Sequence, residues 1–389
     1  MLGSERRTIS MNAHRSFYTK AASWIGLVLI ALAAGCAAQK PEEKQPVVAW
    51  PPPPEKARIE FVRTVSSEDD VFHDTTFTQK VADFLAGTKP TPAQIVEPNG
   101  IAVSDDGSVL YVSDHAQGAV FVFDFGKKQF LKVGAQAEKG ETGLDWPMGV
   151  AVDGQQNIYV VEQGAKTITV FDPSGKKLRS FTDKSLERPC GIAIDRERGR
   201  VYVADSAHTL SKDHSVKIFS LDGKLIGKLG GQKGDGPGYF NVPTYVWVDN
   251  DGDVYVTDTM NCRVQAFSPD GKYLRSYGER GDGYGQFSRP KGVALDSFHN
   301  VYVVDSAWSN VQIFNPQGQV LLFFGGRGPL PGMLKNATAV AIDKNNHIYV
   351  GDYLNHRVEE YQLVNTNAAD SLPDSAAPPA APATDQPKS

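Results

Sequence analysis

Six acids recur at one register of this 389-residue chain: Asp114, Glu162, Asp205, Asp258, Asp305 and Asp352. Each closes an apolar run such as "VYVTD". Carboxylates brought together in pairs can carry general acid–base chemistry. An acid repeated six times reads first as a turn device, because Asp accepts hydrogen bonds from nearby backbone N–H groups. "DNDGD", residues 249–253, sets acids on alternate positions as a calcium loop does. Val254 stands where such a loop needs Gly, and the distal Glu is missing. Glycine-rich stretches such as "GGQKGDGPGYFNVP" and "GERGDGYGQFSRP" can cradle anions through backbone N–H groups. They lack the lysine and the strand-to-helix setting of a phosphate loop.

These residues are positioned by a repeat. The tyrosines of the "(I/V/L)YV" runs, Tyr111, Tyr159, Tyr202, Tyr255, Tyr302 and Tyr349, lie 43 to 53 residues apart. Each unit holds an apolar strand ("GVAVD"), an Asp/Gly turn, the tyrosine strand, a third strand ("SVKIF"), a hairpin such as "SPDG" and a fourth strand ("YLRSY"). Four short β-branched strands per repeat, joined by tight turns, predict antiparallel sheets. At this period the sheet is a propeller blade. The sixth unit stops after "RVEEYQLV" and lacks a fourth strand. "RIEFVRTV", residues 58–65, matches the fourth-strand pattern. Pairing it onto the last blade closes the ring and covers an open edge. The expectation is an all-β, six-bladed propeller over residues 58–364. Residues 77–85 place Phe77, Val81, Phe84 and Leu85 on one helical face, predicting a short helix over 76–86 before blade one.

"GERGDGYGQFSRPKGVALD", "VYVTDTMNCRVQAF" and "IYVGDYLNHRVEEY" resemble NHL repeats, and the resemblance runs over about residues 98–363. Only Asn261-Cys262-Arg263 and Asn355-His356-Arg357 approach the naming triplet. The whole is similar to bacterial extracytoplasmic NHL-propeller lipoproteins. In such propellers the connections from strand four to one and from strand two to three share one face. The resemblance extends to amidating lyases, six-bladed enzymes whose zinc is held by three His, each four residues after the second-strand acid. His356 fits that position after Asp352, whereas Gly118, Cys262 and Ser309 do not. His115 and His356 are thus weak metal candidates, and no cofactor is expected.

Arg15 and Lys20 precede an apolar run ending in Leu32, Ala33, Ala34, Gly35 and Cys36. A basic start, a short apolar core and small residues predict a signal peptide over residues 1–35, with Met11 as an alternative start. The end of the run resembles a bacterial lipobox, which implies acylation of Cys36. Ala37 then favours the outer membrane, with the protein on the periplasmic side. Residues 36–57 read as a Pro-rich tether, and residues 365–389 as a disordered tail. Cys190 and Cys262 are expected to stay unpaired.

A net charge of -5 lacks the basic excess of a nucleic-acid footprint. The expected function is recognition on the loop face of an envelope protein, a peptide or a glycan, with the membrane reached through the lipid. Candidate contacts are Tyr245, His208, Lys212, His214, Arg263, Arg280, Tyr284, Trp308, Arg327 and Arg357, which pool aromatics with basic groups. Tyr245 is singled out because it replaces a Gly of the other blades; Trp247, in place of Ala, reads as filler between blades. The alternative is a metal-dependent hydrolase or lyase, amidating-lyase-like or lactonase-like, with its site at the central channel.

Overall fold

A computed structural model of the chain describes residues 48–72, 92–135 and 143–366. Five four-stranded antiparallel sheets and a sixth, five-stranded one are its blades. Blade one runs through Pro98–Val103, Val109–Asp114, Ala119–Asp124 and Gln129–Val133. Blade four runs through Pro243–Val248, Val254–Asp258, Arg263–Phe267 and Tyr273–Tyr277. The other blades repeat this order, their first strands being Pro147–Val152, Pro189–Asp195, Pro290–Leu295 and Ala337–Ile342. First strands of successive blades lie side by side, and that of blade six meets that of blade one, so the ring is closed. Close approach there requires glycine: a Cβ on Gly149 would stand 2.6 Å from the Cys190 carbonyl oxygen of the next blade.

The core lies between blades rather than within them. Tyr111, Val109 and Val120 of blade one share a cluster with Val150, Val152 and Val160 of blade two. The six repeat tyrosines are all buried. Their hydroxyls reach the strand-one-to-two turns where a partner is present, as Tyr302 does at 3.1 Å from Asp296. Trp247 packs against two clusters, as filler should.

Closure is made by Ile59–Val65, which pairs antiparallel with Arg357–Leu363. Ile59 enters the cluster between blades five and six, and Val65 the cluster between blades six and one. One expectation needs correcting. Residues 48–57 are not tether: Ala49–Trp50 adds a fifth strand outside Ile59–Val65. Trp50 lies 5.7 Å from the Tyr361 ring and 6.1 Å from that of Phe324. Aromatic burial thus extends order into a Pro-rich segment. After the clasp, a 3-10 turn at Glu68–Val71 is capped by Ser67. The expected helix at 76–86, Cys36, the signal segment and the tail from 367 lie outside the described residues.

Third strands carry a second repeated device. Gln265 accepts from the Gly238 N–H at 3.0 Å and donates to the Tyr239 carbonyl at 2.7 Å. Gln312 does the same with Gly285 and Gln286. Blade six places Glu359 there, accepting from Gly332 N–H and the Thr64 hydroxyl. Burial pushes its carboxyl up to about 7, although Thr64, Arg357 and Gly332 oppose the shift. Because the folded value lies above the ordinary one, stability falls as pH rises between the two, and the penalty is complete above pH 7. Glu359→Gln should therefore raise stability by about 1–2 kcal/mol at pH 8 and change it little at pH 4.5. Urea unfolding at both pH values measures this; equal effects at both would contradict it.

Candidate functional site at the mouth of the central channel

In all six blades the start of strand one pairs with the acid ending strand two, as Pro98 with Asp114 and Pro290 with Asp305. Both residues therefore sit at the same end of the ring, where the loops gather. The acids are buried. Their oxygens accept backbone N–H groups of the incoming loop: Asp114 from Val96 and Glu97, Asp205 from Glu187 and Arg188, Asp352 from Lys335. Burial raises the carboxyl pKa of Asp205, Asp258 and Asp352 despite these bonds. They are turn devices, with their lone pairs occupied.

Three of the candidate contacts are taken up inside the fold. His214 is fully buried, and its Nδ1 accepts the Val242 N–H at 2.8 Å. Burial lowers its pKa, so the ring is held neutral. Arg263 pairs with Asp258 at 3.0 Å and donates to the Gly236 and Tyr239 carbonyls. Arg357 pairs with Glu359 at 2.7 Å and donates to Pro329, Leu330 and Met333. Both arginines pin a strand-four-to-one loop onto its blade and spend most of their donors there. His208, Lys212, Arg280, Tyr284, Trp308 and Arg327 are exposed. Arg280 and Arg327 each donate to one loop carbonyl, of Met260 and Ala307.

Tyr245 does not overhang the mouth; it enters the channel. Although it belongs to blade four, it packs against the cluster between blades six and one. The Ile101 backbone hydrogen-bonds its hydroxyl, and burial drives its pKa upward. Glycine or alanine at the equivalent positions leaves the room this ring fills. Tyr245 thus reaches across the axis from blade four to the cluster between blades six and one.

Around that side chain the residues preceding strand one form a ring: Glu97, Trp146, Arg188, Val242, Arg289 and Asn336. Alternate members, Trp146, Val242 and Asn336, hold left-handed φ of 60°, 59° and 60°, a costly choice for the bulky Trp and β-branched Val. Glu97 bonds His115 Nδ1 at 2.7 Å, and the His115 ring stacks on Trp146 at 5.2 Å. Beside them an open depression of about 500 Å³ is lined by His115, Gln117, Leu144 and Asp145. Next in register after Arg188 and Arg289 come Cys190 and Lys291, each one residue past its proline. Both cysteines are free and buried; burial raises the thiol pKa of each.

The metal candidates separate. His356 has φ 58°, and the corresponding Gly118, Lys166, Cys262 and Ser309 have 55°, 54°, 55° and 56°. That register is a left-handed turn, and His356 Nδ1 bonds the Val96 carbonyl. Among the described residues, the side chains able to converge on one ion are Asp249, Asp251 and His299. They belong to strand-one-to-two turns on the opposite face. Asp249 there accepts the Asp251 and Asp253 N–H groups, an ordinary turn role.

The family model for an NHL repeat matches residues 240–267, in blade four. The chain is a six-bladed propeller whose fourth blade matches the NHL repeat. A second family model, SMP-30/Gluconolactonase/LRE-like region, matches residues 83–182. NHL repeat-containing protein 3 of Mus musculus is 30% identical over 34% of this chain and 43% of its own length. Peptidylglycine alpha-amidating monooxygenase of Rattus norvegicus is 30% identical over 36% of this chain and 18% of its own length. The chain spans less than half the length of the curated relatives it matches first. An auxiliary nutrient binding protein from Bacteroides ovatus superposes with a TM-score of 0.52 at 15% identity, covering 69% of each chain. That likeness concerns the fold alone.

Proposed function

We propose that this NHL-repeat propeller is a lipid-anchored, periplasmic recognition module that holds a polypeptide partner on its loop face. One observation carries the reading. Of the sixteen large hydrophobic side chains exposed among the described residues, nine lie on the loop face, including Trp146, Leu210, Met260, Trp308, Leu330 and Leu354. None lies in the turns of the opposite face; the others are on outer strands or flank the clasp. An apolar surface gathered on one side marks an interaction site. Its aromatic and Met content, rimmed by Arg280 and Arg327, suits a protein or peptide better than a glycan. Rigid blades beneath fix the loops that present it.

The anchor is read from Cys36 and its flanking residues. Cells expressing the protein should incorporate labelled acyl chain into it, and Cys36→Ala should abolish the label; label retained in that variant would remove the anchor from the proposal. Immobilised protein should retain one envelope species that the double variant Trp308→Asp, Leu330→Asp releases, with an affinity loss of about tenfold or more. Retention unchanged by that variant would contradict recognition on this face.

A further inference from the structure

Arg188-Pro189-Cys190 and Arg289-Pro290-Lys291 occupy equivalent positions in blades three and five. Pro189 pairs with Asp205 and Pro290 with Asp305. The two segments therefore reach the channel mouth from either side of blade four. Lys291 is half-buried; desolvation first, then Arg289 and Arg188, push its ammonium pKa down, against the Cys190 thiol. Lys291 thus lies within electrostatic reach of both arginines, which are themselves exposed.

Nothing described neutralises them. Asp205 and Asp305 are occupied by backbone N–H groups. Glu187 accepts from the Ser211 hydroxyl and the His208 N–H. Among the described residues no carboxylate pairs with Arg188, Arg289 or Lys291; Arg188 has only a 3.5 Å contact to the Gln163 side-chain oxygen. Arg263 and Arg357, whose work is structural, each have a carboxylate and loop carbonyls. The difference leaves the side chains of the trio, with Arg188 and Arg289 exposed at the mouth, open to an anionic ligand. Clustered like charges repel, and an oxyanion between them turns that repulsion into charge-assisted hydrogen bonds. Across the axis from blade five stands Trp146 of blade two, half exposed and stacked on His115. Glu97 beside it would repel the charged end of a ligand and so orient it. Tyr245 crosses the axis one register step deeper.

We propose that the channel mouth binds an organic oxyanion, its carboxylate or phosphoryl oxygens on Arg188, Arg289 and Lys291 and its flat or apolar body against Trp146. The proposal rests on the reading of the loop face as the recognition surface and names the chemistry its centre selects.

Calorimetric titration of the full chain with hippurate, phenyl phosphate and inorganic phosphate tests it. At least one of the two organic anions should bind saturably, about tenfold or more tighter than inorganic phosphate. The tighter of the two identifies the oxyanion as carboxylate or phosphoryl. Arg289→Met and Lys291→Met should each weaken that binding about tenfold, while the melting temperature holds or rises as repulsion is relieved. Lys272→Met, on the opposite face, should bind like the unaltered protein. No saturable binding of either organic anion up to about 10 mM, organic anions no tighter than inorganic phosphate, or binding untouched by both variants overturns the proposal. So does a fall in melting temperature with either variant, because it would mean a structural role. Retention of the envelope partner is scored separately through Trp308 and Leu330, so failure of the anion site leaves the recognition reading to stand or fall alone.

Discussion

A chain beginning at Ser67 should show no cooperative unfolding transition. The lost segment supplies Ile59–Val65, whose backbone pairs with Arg357–Leu363 from Ile59↔Leu363 to Val65↔Val358. It also removes Ile59 and Val65, both fully buried, from two inter-blade clusters. Trp50 and Phe61 leave the Tyr361 ring, which they meet at 5.7 and 6.0 Å. Each large buried side chain costs about 2–5 kcal/mol when deleted. Two such losses, two smaller ones from the half-buried Trp50 and Phe61, and an open blade edge add to about 8 kcal/mol, comparable to the whole stability of a domain. Glu359 would also lose the Thr64 hydroxyl at 2.6 Å, leaving its buried carboxylate poorly satisfied. Circular dichroism through a thermal ramp reads the outcome, and a peptide of residues 48–66 added in trans should restore the transition. Phe61→Ala gives a graded version, with an expected loss of about 3 kcal/mol. A truncated chain that melts like the full one would mean that the ring does not depend on this strand.

Asp305→Ala should destabilise the protein by about 3–5 kcal/mol. The Asp305 carboxylate accepts the Ser288, Arg289, Ala307 and Trp308 N–H groups at 2.7–3.3 Å. Alanine leaves these donors without their acceptor at the head of blade five. Asp305→Asn keeps one acceptor oxygen and should lose roughly half as much. Chemical unfolding of the three proteins checks the order. A catalytic acid would behave otherwise, since its removal commonly spares stability. Unchanged stability in Asp305→Ala would reopen the acid–base reading of the six-fold carboxylate.

The architecture was legible because its cause is periodic. Turn residues, tyrosine strands and closing acids recur together, and each reports a local constraint that any blade must meet. Even the clasp was legible, since Ile59–Val65 alternates like a fourth strand. The fifth strand was not. Two residues ahead of a proline run carry no period, and Trp50 acquires its partners, Phe324 and Tyr361, from the other end of the chain.

The site was less legible for a related reason. A repeat draws attention to what recurs, whereas recognition chemistry lies where the repeat varies. The position before strand one reads Glu97, Trp146, Arg188, Val242, Arg289 and Asn336. Aligning the blades at the opening residue of strand one, a proline in five of them and Ala337 in the sixth, would have exposed that ring. Loop arginines looked equivalent in the sequence. Only folding shows that Arg263 and Arg357 are tied down by carboxylates and carbonyls, while among the described residues no carboxylate pairs with the side chains of Arg289 and Lys291. His214 looked like a loop residue in an insertion. It is buried because the insertion folds back and its ring holds the left-handed Val242 in place.

Site-specific photocrosslinking in intact cells tests the two-faced character of the protein most directly. Crosslinkers at Met260, Trp308 and Leu330 on the loop face should each capture the same envelope species, and crosslinkers at Asn250 and Lys272 on the opposite face should not. Equal capture from both faces, or none from the loop face, would contradict the account.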